Sequence, residues 1–235
     1  MLFDLHAHSS GISVCCRIPG EKVVEEAAAA GLDGIVLTNH YQHSYLREED
    51  GQEFVTRYLD EYEKTRIAGE KRGIKVFFGI EVTMDFASNV HLLLYGLGEA
   101  FLREFPLLFT YSHEELYRLV RVHGGTLIQA HPFRNGSRIL DTRFLDGLEV
   151  NCHPLYRNSY KDELEKAATE AGLILTAGGD YHADTYRPLC GTYLPQSVTD
   201  EAALARYLKE TAAITLRIHE PNTPAPFDFV YQRKP

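Results

Sequence analysis

Long apolar runs are missing from this 235-residue chain, and none approaches the roughly 18 residues a spanning helix needs. It also lacks a charged-then-apolar opening of the leader type, so the sequence reads as a soluble, cytoplasmic protein with no membrane partner. Cysteine is scarce. Cys15, Cys16, Cys152 and Cys190 are too few for a disulfide framework in a chain this long, and adjacent cysteines rarely pair with each other. Positive charge is short as well: 24 Lys and Arg stand against 33 Asp and Glu, a formal net charge of -9. That balance argues against a general nucleic-acid or anionic-membrane surface, and long nucleic acid is not an expected partner. A local basic pocket stays open, and carboxylates gathered around metal ions would add to the negative count.

Familiar catalytic signatures are missing too. No cysteine has an arginine six positions later, which disfavours a thiol phosphatase. There is no Gly-x-Ser-x-Gly elbow and no phosphate-cradling loop with Lys and Ser. "GLGEAF" lacks the third glycine of a dinucleotide turn, and "HEELY" at His113 lacks the second histidine of a helical zinc protease.

What is present is a 44% hydrophobic chain able to bury a large core, with short apolar runs alternating with helical stretches. "MLFDLHAH", "GIVLTNH", "IKVFFGIEVT", "VHLLLYG", "GTLIQAHP", "GLEVNC" and "LILTAGGD" read as strands. Helices are expected from Pro19-Gly20 to Gly31, over Gln52 to Arg72, from a Ser112–Glu115 capping box to about His123, from Tyr160 to Ala171 and near Asp200 to Lys209. Continuous apolar strands covered by helices favour one closed or nearly closed parallel barrel over an open sheet. The domain is expected to span 1–219, with a proline-rich tail at 220–235 lying extended over the surface.

Polar residues gather at the strand ends. In "DLHAHS" strand alternation puts Asp4, His6 and His8 on one face, where two imidazoles can share a metal ion. An exposed histidine beside one satisfied by Asp4 would fit the same spacing. The following strands contribute Asn39 and His40, then Glu81, His91, His131 with Arg134, Glu149 with Asn151, and Asp180 with His182. In a parallel barrel the carboxyl ends open onto one mouth, so these residues aim at one place. Each taken singly could be a rim histidine, a turn acid or, for Glu149, a buried partner of Arg134. Together they read as a multinuclear hydrolytic site for zinc, manganese or iron.

The motifs "DLHAHS", "TNH", "GIE", "VHLLLYG", "AHPFR" and "GGDYHA" resemble, in order and over most of the chain, the polymerase and histidinol phosphatase (PHP) family. The resemblance implies an α/β fold, a distorted seven-stranded (β/α)7 TIM-like barrel with up to three metals at its C-terminal mouth. It implies a first ion on His6, His8, Glu81 and Asp180. Glu81 would bridge to a second ion, held also by His91 and His131. A third would take His40, His182 and a residue of the loop after the first strand. The usual Thr-Asp-His motif has Asn39 here, and "SSGISVCC" offers no Asp or His as the loop ligand. A Ser-x-Cys variant points to Cys15, with Cys16 as fallback, and a thiolate suits zinc or iron.

The implied activity is hydrolysis of a small phosphomonoester, as in a histidinol phosphatase. Two ions about 3.5–4 Å apart can hold a hydroxide between them and neutralise phosphate oxygens. Glu81, Asp180, His182 and Arg134 are the expected catalytic residues. Arg17, Arg134 and Arg187 are placed for phosphate, whose oxygens the planar guanidinium matches two at a time. Asp4 and Asn39 would orient imidazoles from behind. Tyr41, His43, Tyr45, His153 and Tyr156 are candidates for the pocket wall. The alternatives are a phosphodiesterase or nuclease acting on short nucleotides, a tyrosine-phosphatase branch (disfavoured by the missing aspartate-rich loop), and a metal-binding domain without catalysis.

Overall fold

Helix punctuation in the sequence sets the outer layer. The computed structural model describes residues 1–46, 50–85, 90–156, 158–183, 189–220 and 223–234. Helix α1 (Gly20–Ala29) follows Pro19, and the chain leaves it through Gly31 at φ 78°, a left-handed turn that glycine adopts without a Cβ penalty. Helix α2 (Gly51–Glu70) opens on a capping box in which the Asp50 carboxylate accepts from Gln52 and Glu53 N–H while Glu53 reaches back to Asp50 N–H. Helices α3 (Glu99–Glu104) and α4 (His113–Val122) follow, and α4 carries the expected Ser112–Glu115 box. Helices α5 (Lys161–Ala171) and α6 (Glu201–Glu210) complete the layer among the described residues.

Inside it run β1 (Leu2–Ala7), β2 (Gly34–Leu37), β3 (His40–Tyr41), β4 (Lys75–Asp85), β5 (Val90–Tyr95), β6 (Thr126–Gln129), β7 (Gly147–Asn151), β8 (Ile174–Gly178), β9 (Gly191–Tyr193), β10 (Ala213–Ile218) and β11 (Phe227–Gln232). The sheet order is β11-β10-β9-β1-β2-β4-β5-β6-β7-β8, with β3 attached to β4. Beyond β8 the chain returns to β1: Ala7 bridges Tyr181, and His8 N–H donates to Tyr181 O at 3.3 Å. The result is an α/β fold with a nearly closed, barrel-like sheet.

This corrects the expected count, since the sheet has eleven strands among the described residues rather than seven. It is also mixed. The segment 86–89 between β4 and β5 is far too short for the crossover of a dozen or more residues that parallel neighbours need, so β5 runs antiparallel to β4 and to β6. The tail differs from expectation as well. Phe227–Gln232 pairs residue for residue with β10, and the buried Tyr231 hydroxyl donates to Leu173 O at 2.8 Å, so much of the proline-rich end is an edge strand.

Two apolar clusters hold the layers together. The larger contains Leu5, Ile80, Leu93, Leu127, Leu148 and Leu175 with their covering helices. The smaller packs Val23, Val24 and Ala27 of α1 on Leu2, Ile35 and Leu37. Tyr95 is fully buried and donates its hydroxyl to Leu5 O at 2.9 Å, tying β5 to β1. Gly147 marks a place of close approach, where a Cβ would lie 2.6 Å from the Ile174 carbonyl oxygen and the Ile128 and Ile174 side chains. Gly147→Ala should therefore destabilise the fold by about 1–3 kcal/mol, seen as a lower denaturation midpoint. An unchanged midpoint would mean that β7 can shift freely on its neighbours.

Candidate metal centre

The site is assembled from the same end of the sheet. Strand β1 carries a bulge: Asp4 faces Ile35 and Ala7 faces Leu37, so β1 has one residue more than β2 in that interval. His6 lies in the bulge and His8 just beyond the strand. Glu81 does not end its strand, as the sequence suggested. It stands within β4, opposite His40 of β3. His91 opens β5, and because β5 is antiparallel its start lies where β1, β4, β6, β7 and β8 lead out. His131 and Asp180 follow β6 and β8 at φ 31° and 51°, backbone conformations uncommon outside glycine.

These residues meet around Glu81. Its Oε1 lies 3.2 Å from His6 Nε2, 2.9 Å from His91 Nδ1 and 3.3 Å from His131 Nε2. Its Oε2 lies 2.5 Å from His40 Nδ1 and 3.4 Å from His8 Nε2. Asp180 Oδ1 is 3.3 Å from His6 Nε2, 3.0 Å from His8 Nε2 and 3.2 Å from His182 Nδ1. Three overlapping sets, His6–His8–Glu81, His40–Glu81–His91 and His8–His40–His182, bring candidate ligand atoms within 4.8 Å of one another.

A metal ion fits this donor set on two observations. His6 Nε2 and His8 Nε2 face each other at 3.0 Å, as two nitrogens do when both point at a shared centre. Glu81 Oε2 and His40 Nδ1 are buried and 2.5 Å apart, yet neither makes a properly directed hydrogen bond among the described residues. Buried polar atoms without partners are costly, and a cation that both could bind would satisfy them.

Charge tells the same story. Burial opposes ionisation of Glu81, but the imidazoles of His40, His91 and His6 outweigh it and hold its carboxyl well below the usual range. Asp180 is held low against burial by His6, Arg134 and His182. Burial also works against a proton on His6, yet Glu149, Asp180 and Glu81 keep its imidazole well above its ordinary value. Burial, with Arg134 adding, pushes His131 down to about 4. The buried carboxylates thus demand positive charge at one point.

The remaining residues have more varied places. Asp4 makes no hydrogen bond to an imidazole among the described residues. Its Oδ1 accepts from the backbone N–H groups of His6 (2.9 Å) and Gly179 (2.8 Å), and burial, only partly offset by those bonds, pushes it up to about 7. Asn39 accepts from Ser9 N–H and from the Ser13 hydroxyl. Arg134 spans Asp180 and Asn151 with its two terminal nitrogens and lies over the Tyr156 ring, 4.2 Å from its centroid. Glu149 does not pair with Arg134. It accepts from His6 Nδ1 at 2.8 Å, from His131 N–H at 2.9 Å and from Asn151 Nδ2 at 3.0 Å. Sequence reasoning assigned Glu149 and Ser13 no role in orienting ligands. The Glu149–Val150–Asn151 alternation did carry the signal, with two polar side chains on one face of an otherwise apolar strand.

A cavity of about 530 Å³ opens above the cluster, lined by Cys15, Arg17, His153, Leu155 and Tyr156 as well as the histidines. Cys15 is exposed there. Cys16 is buried and turned away, its thiol donating to His8 O and Ile18 O, which removes it as the fallback ligand. Tyr41 lies in the core with its hydroxyl on Pro106 O, and the exposed His43 packs against Phe109, so neither lines this cavity. Tyr45 packs edge-on against His40. Arg187 lies outside the described residues. No helix among the described residues is long and apolar enough to cross a membrane.

Comparison with known proteins adds a family. The model of the PHP domain matches residues 4–217. A search of the curated proteins gave no match. Among solved structures, a two-domain protein from Bacteroides vulgatus containing a predicted PHP-like metal-dependent phosphoesterase superposes with a TM-score of 0.65 at 18% identity, over 94% of this chain and 75% of that one. PsfC from Pseudomonas syringae gives 0.59 at 20%, over 87% and 86%. An amidohydrolase from Chromobacterium violaceum, with bound sulfate and no metal, gives 0.58 at 18%, over 83% and 93%.

Adding zinc or manganese to the chelator-stripped protein should raise its melting temperature, by an amount equivalent to about 2.7 kcal/mol at a hundredfold excess over Kd. Glu81→Gln should abolish most of that rise. A wild-type melting temperature indifferent to every divalent ion would exclude a metal centre here.

Proposed function

The chain belongs to the PHP domain family, and from that premise we propose that it is a metal-dependent phosphoesterase hydrolysing a small phosphomonoester. The observation that carries this is the convergence of His6, His8, His40, His91 and His131 on the single Glu81 carboxylate, beneath a cavity that also presents Arg17 and Arg134. Two or three divalent ions, zinc, manganese or iron, would be held by His6, His8, Glu81 and Asp180, by His91 and His131, and by His40 and His182 with Cys15 at the mouth. Bound there, such ions supply Lewis-acid charge for phosphate oxygens and an acidified water near neutral pH.

The protein's own groups supply the rest. Glu81 can serve two ligand sets at once because each of its oxygens faces different imidazoles. Arg134 is held in place by Asp180, Asn151 and Tyr156, so it adds positive charge at the cavity floor with little ordering cost. Arg17 is exposed and its backbone N–H is anchored on His182 O at 2.8 Å, which leaves its guanidinium to reach a phosphate entering the mouth. The Chromobacterium amidohydrolase of this fold holds a bound sulfate, an ion with the tetrahedral shape of phosphate. The cavity suits a small phosphorylated metabolite.

Phosphate release from a panel of monoesters, histidinol phosphate included, and diesters tests this with protein loaded with zinc, manganese or iron. Monoester turnover that disappears in Glu81→Gln is the expected result. Arg17→Ala should lower kcat/KM about ten- to a hundredfold, the loss of one charged hydrogen bond. Diester cleavage alone would move the assignment to a phosphodiesterase. No turnover by the metal-loaded protein on any member would contradict phosphoesterase activity.

A further inference from the structure

We infer that Ser13 is a positioning residue, a hydroxyl that fixes which ring nitrogen of His8 carries the proton and so leaves His8 Nε2 as a lone pair aimed at the metal centre. The inference comes from counting donors and acceptors around one buried oxygen.

The count starts at Asn39. Its Oδ1 accepts from the backbone N–H of Ser9 at 2.8 Å, and its Nδ2 donates to Ser9 Oγ at 3.0 Å. A backbone N–H can only donate, so the amide cannot be reversed, and Oδ1 is the atom that also faces Ser13 Oγ at 2.9 Å. An amide oxygen has no proton to give. The single hydroxyl proton of Ser13 therefore points at Asn39, and only the lone pairs of Ser13 remain.

Two groups meet those lone pairs. His40 N–H donates to Ser13 Oγ at 3.0 Å, and His8 Nδ1 lies 3.0 Å away on another side. With its own proton committed, Ser13 can only accept from His8. Nδ1 must then carry the hydrogen. A neutral His8 consequently has its lone pair on Nε2, the nitrogen that stands 3.0 Å from Asp180 Oδ1, 3.4 Å from Glu81 Oε2 and 3.0 Å from His6 Nε2. All four residues, Ser9, Ser13, His8 and Asn39, are buried, so water does not compete for these bonds.

The Nδ1 proton of His6 is fixed by another route, since Glu149 is acceptor-only and takes it at 2.8 Å. The two neighbouring imidazoles are thus set by different partners, a carboxylate for His6 and an uncharged relay for His8. An aspartate at position 39 would accept from Ser13 equally well, so the exchange of acid for amide keeps the tautomer while removing one buried negative charge. The same hydroxyl holds the backbone of His40, which couples the placement of two candidate ligands to one oxygen.

The consequence of this tautomer rests on the metal-centre assignment, whereas the tautomer itself is read without metal or substrate. The ring nitrogens and protons of His8 are correlated by NMR in 15N-histidine-labelled, metal-free protein at mildly alkaline pH, and zinc affinity is measured alongside by calorimetry. Wild-type protein should show the proton on His8 Nδ1, and Asn39→Asp should leave it there. Asn39→Leu frees the Ser13 proton and should shift the population toward Nε2–H. Ser13→Ala should lose the preference and weaken zinc binding about ten- to a hundredfold. A wild-type His8 protonated on Nε2, or an Asn39→Leu spectrum identical to wild type, would overturn the assignment. Should Ser13→Ala fail to fold, the wild-type spectrum and the two Asn39 variants still decide. Phosphatase inactivity with the predicted tautomer would count against the proposed function alone.

Discussion

A carboxylate with no access to water must have its charge answered within bonding distance, and Glu81 is fully buried with imidazoles of five histidines around it. Much of the upper sheet can be understood as the scaffold for that one group. β3 exists as a two-residue strand that sets His40 opposite Glu81, and the bulge in β1 lies where His6 turns toward it. The antiparallel course of β5 brings His91 to the same end. Asp180 and His131 occupy positive-φ conformations next to it, a strain of the kind that the surrounding structure must over-determine to maintain.

Behind these groups stands a layer whose members contact one another as much as the centre. Glu149 links His6, the backbone of His131 and Asn151. Asn151 in turn meets Arg134, which returns to Asp180. Asp4 joins β1 to the turn after β8 through the N–H groups of His6 and Gly179. The space is tight. A Cβ on Gly178 would fall 2.5 Å from His6 Cβ and 2.6 Å from Glu149 Oε1, so the glycine there is part of how the two approach. Fixed ligands of this kind bind an ion without ordering themselves first, which is the physical advantage of building the centre on strands and short turns.

Much of this was legible in the sequence. His91, His131 and Asp180 stand at or just beyond strand ends, His6 and His8 converge, and the Ser112–Glu115 box opens α4, all as expected. Glu81, by contrast, lies within β4, and a bulge at His6 interrupts the strand period. The strand count and direction were less legible. Apolar content reports that a strand is buried, and says nothing of which way it runs. The clue was the short segment before Val90, which forbids a crossover. The edge strand β11 was obscured by the prolines before it, although Phe227–Gln232 holds none. The orienting partners were hardest to see. Ser13 and Glu149 act through contacts between distant parts of the chain, and no local pattern distinguishes a serine that meets a histidine from one in an ordinary turn.

Metal binding by the histidines and carboxylates around Glu81 is open to direct observation. Anomalous X-ray scattering from crystals grown with zinc or manganese, measured on both sides of the absorption edge, tests it most directly. Element-specific peaks are expected adjacent to Glu81, one on the side of His6 and His8 and another on the side of His40 or His91. Peaks confined to surface carboxylates, with ordinary hydrogen bonds or water filling the space around Glu81, would contradict it.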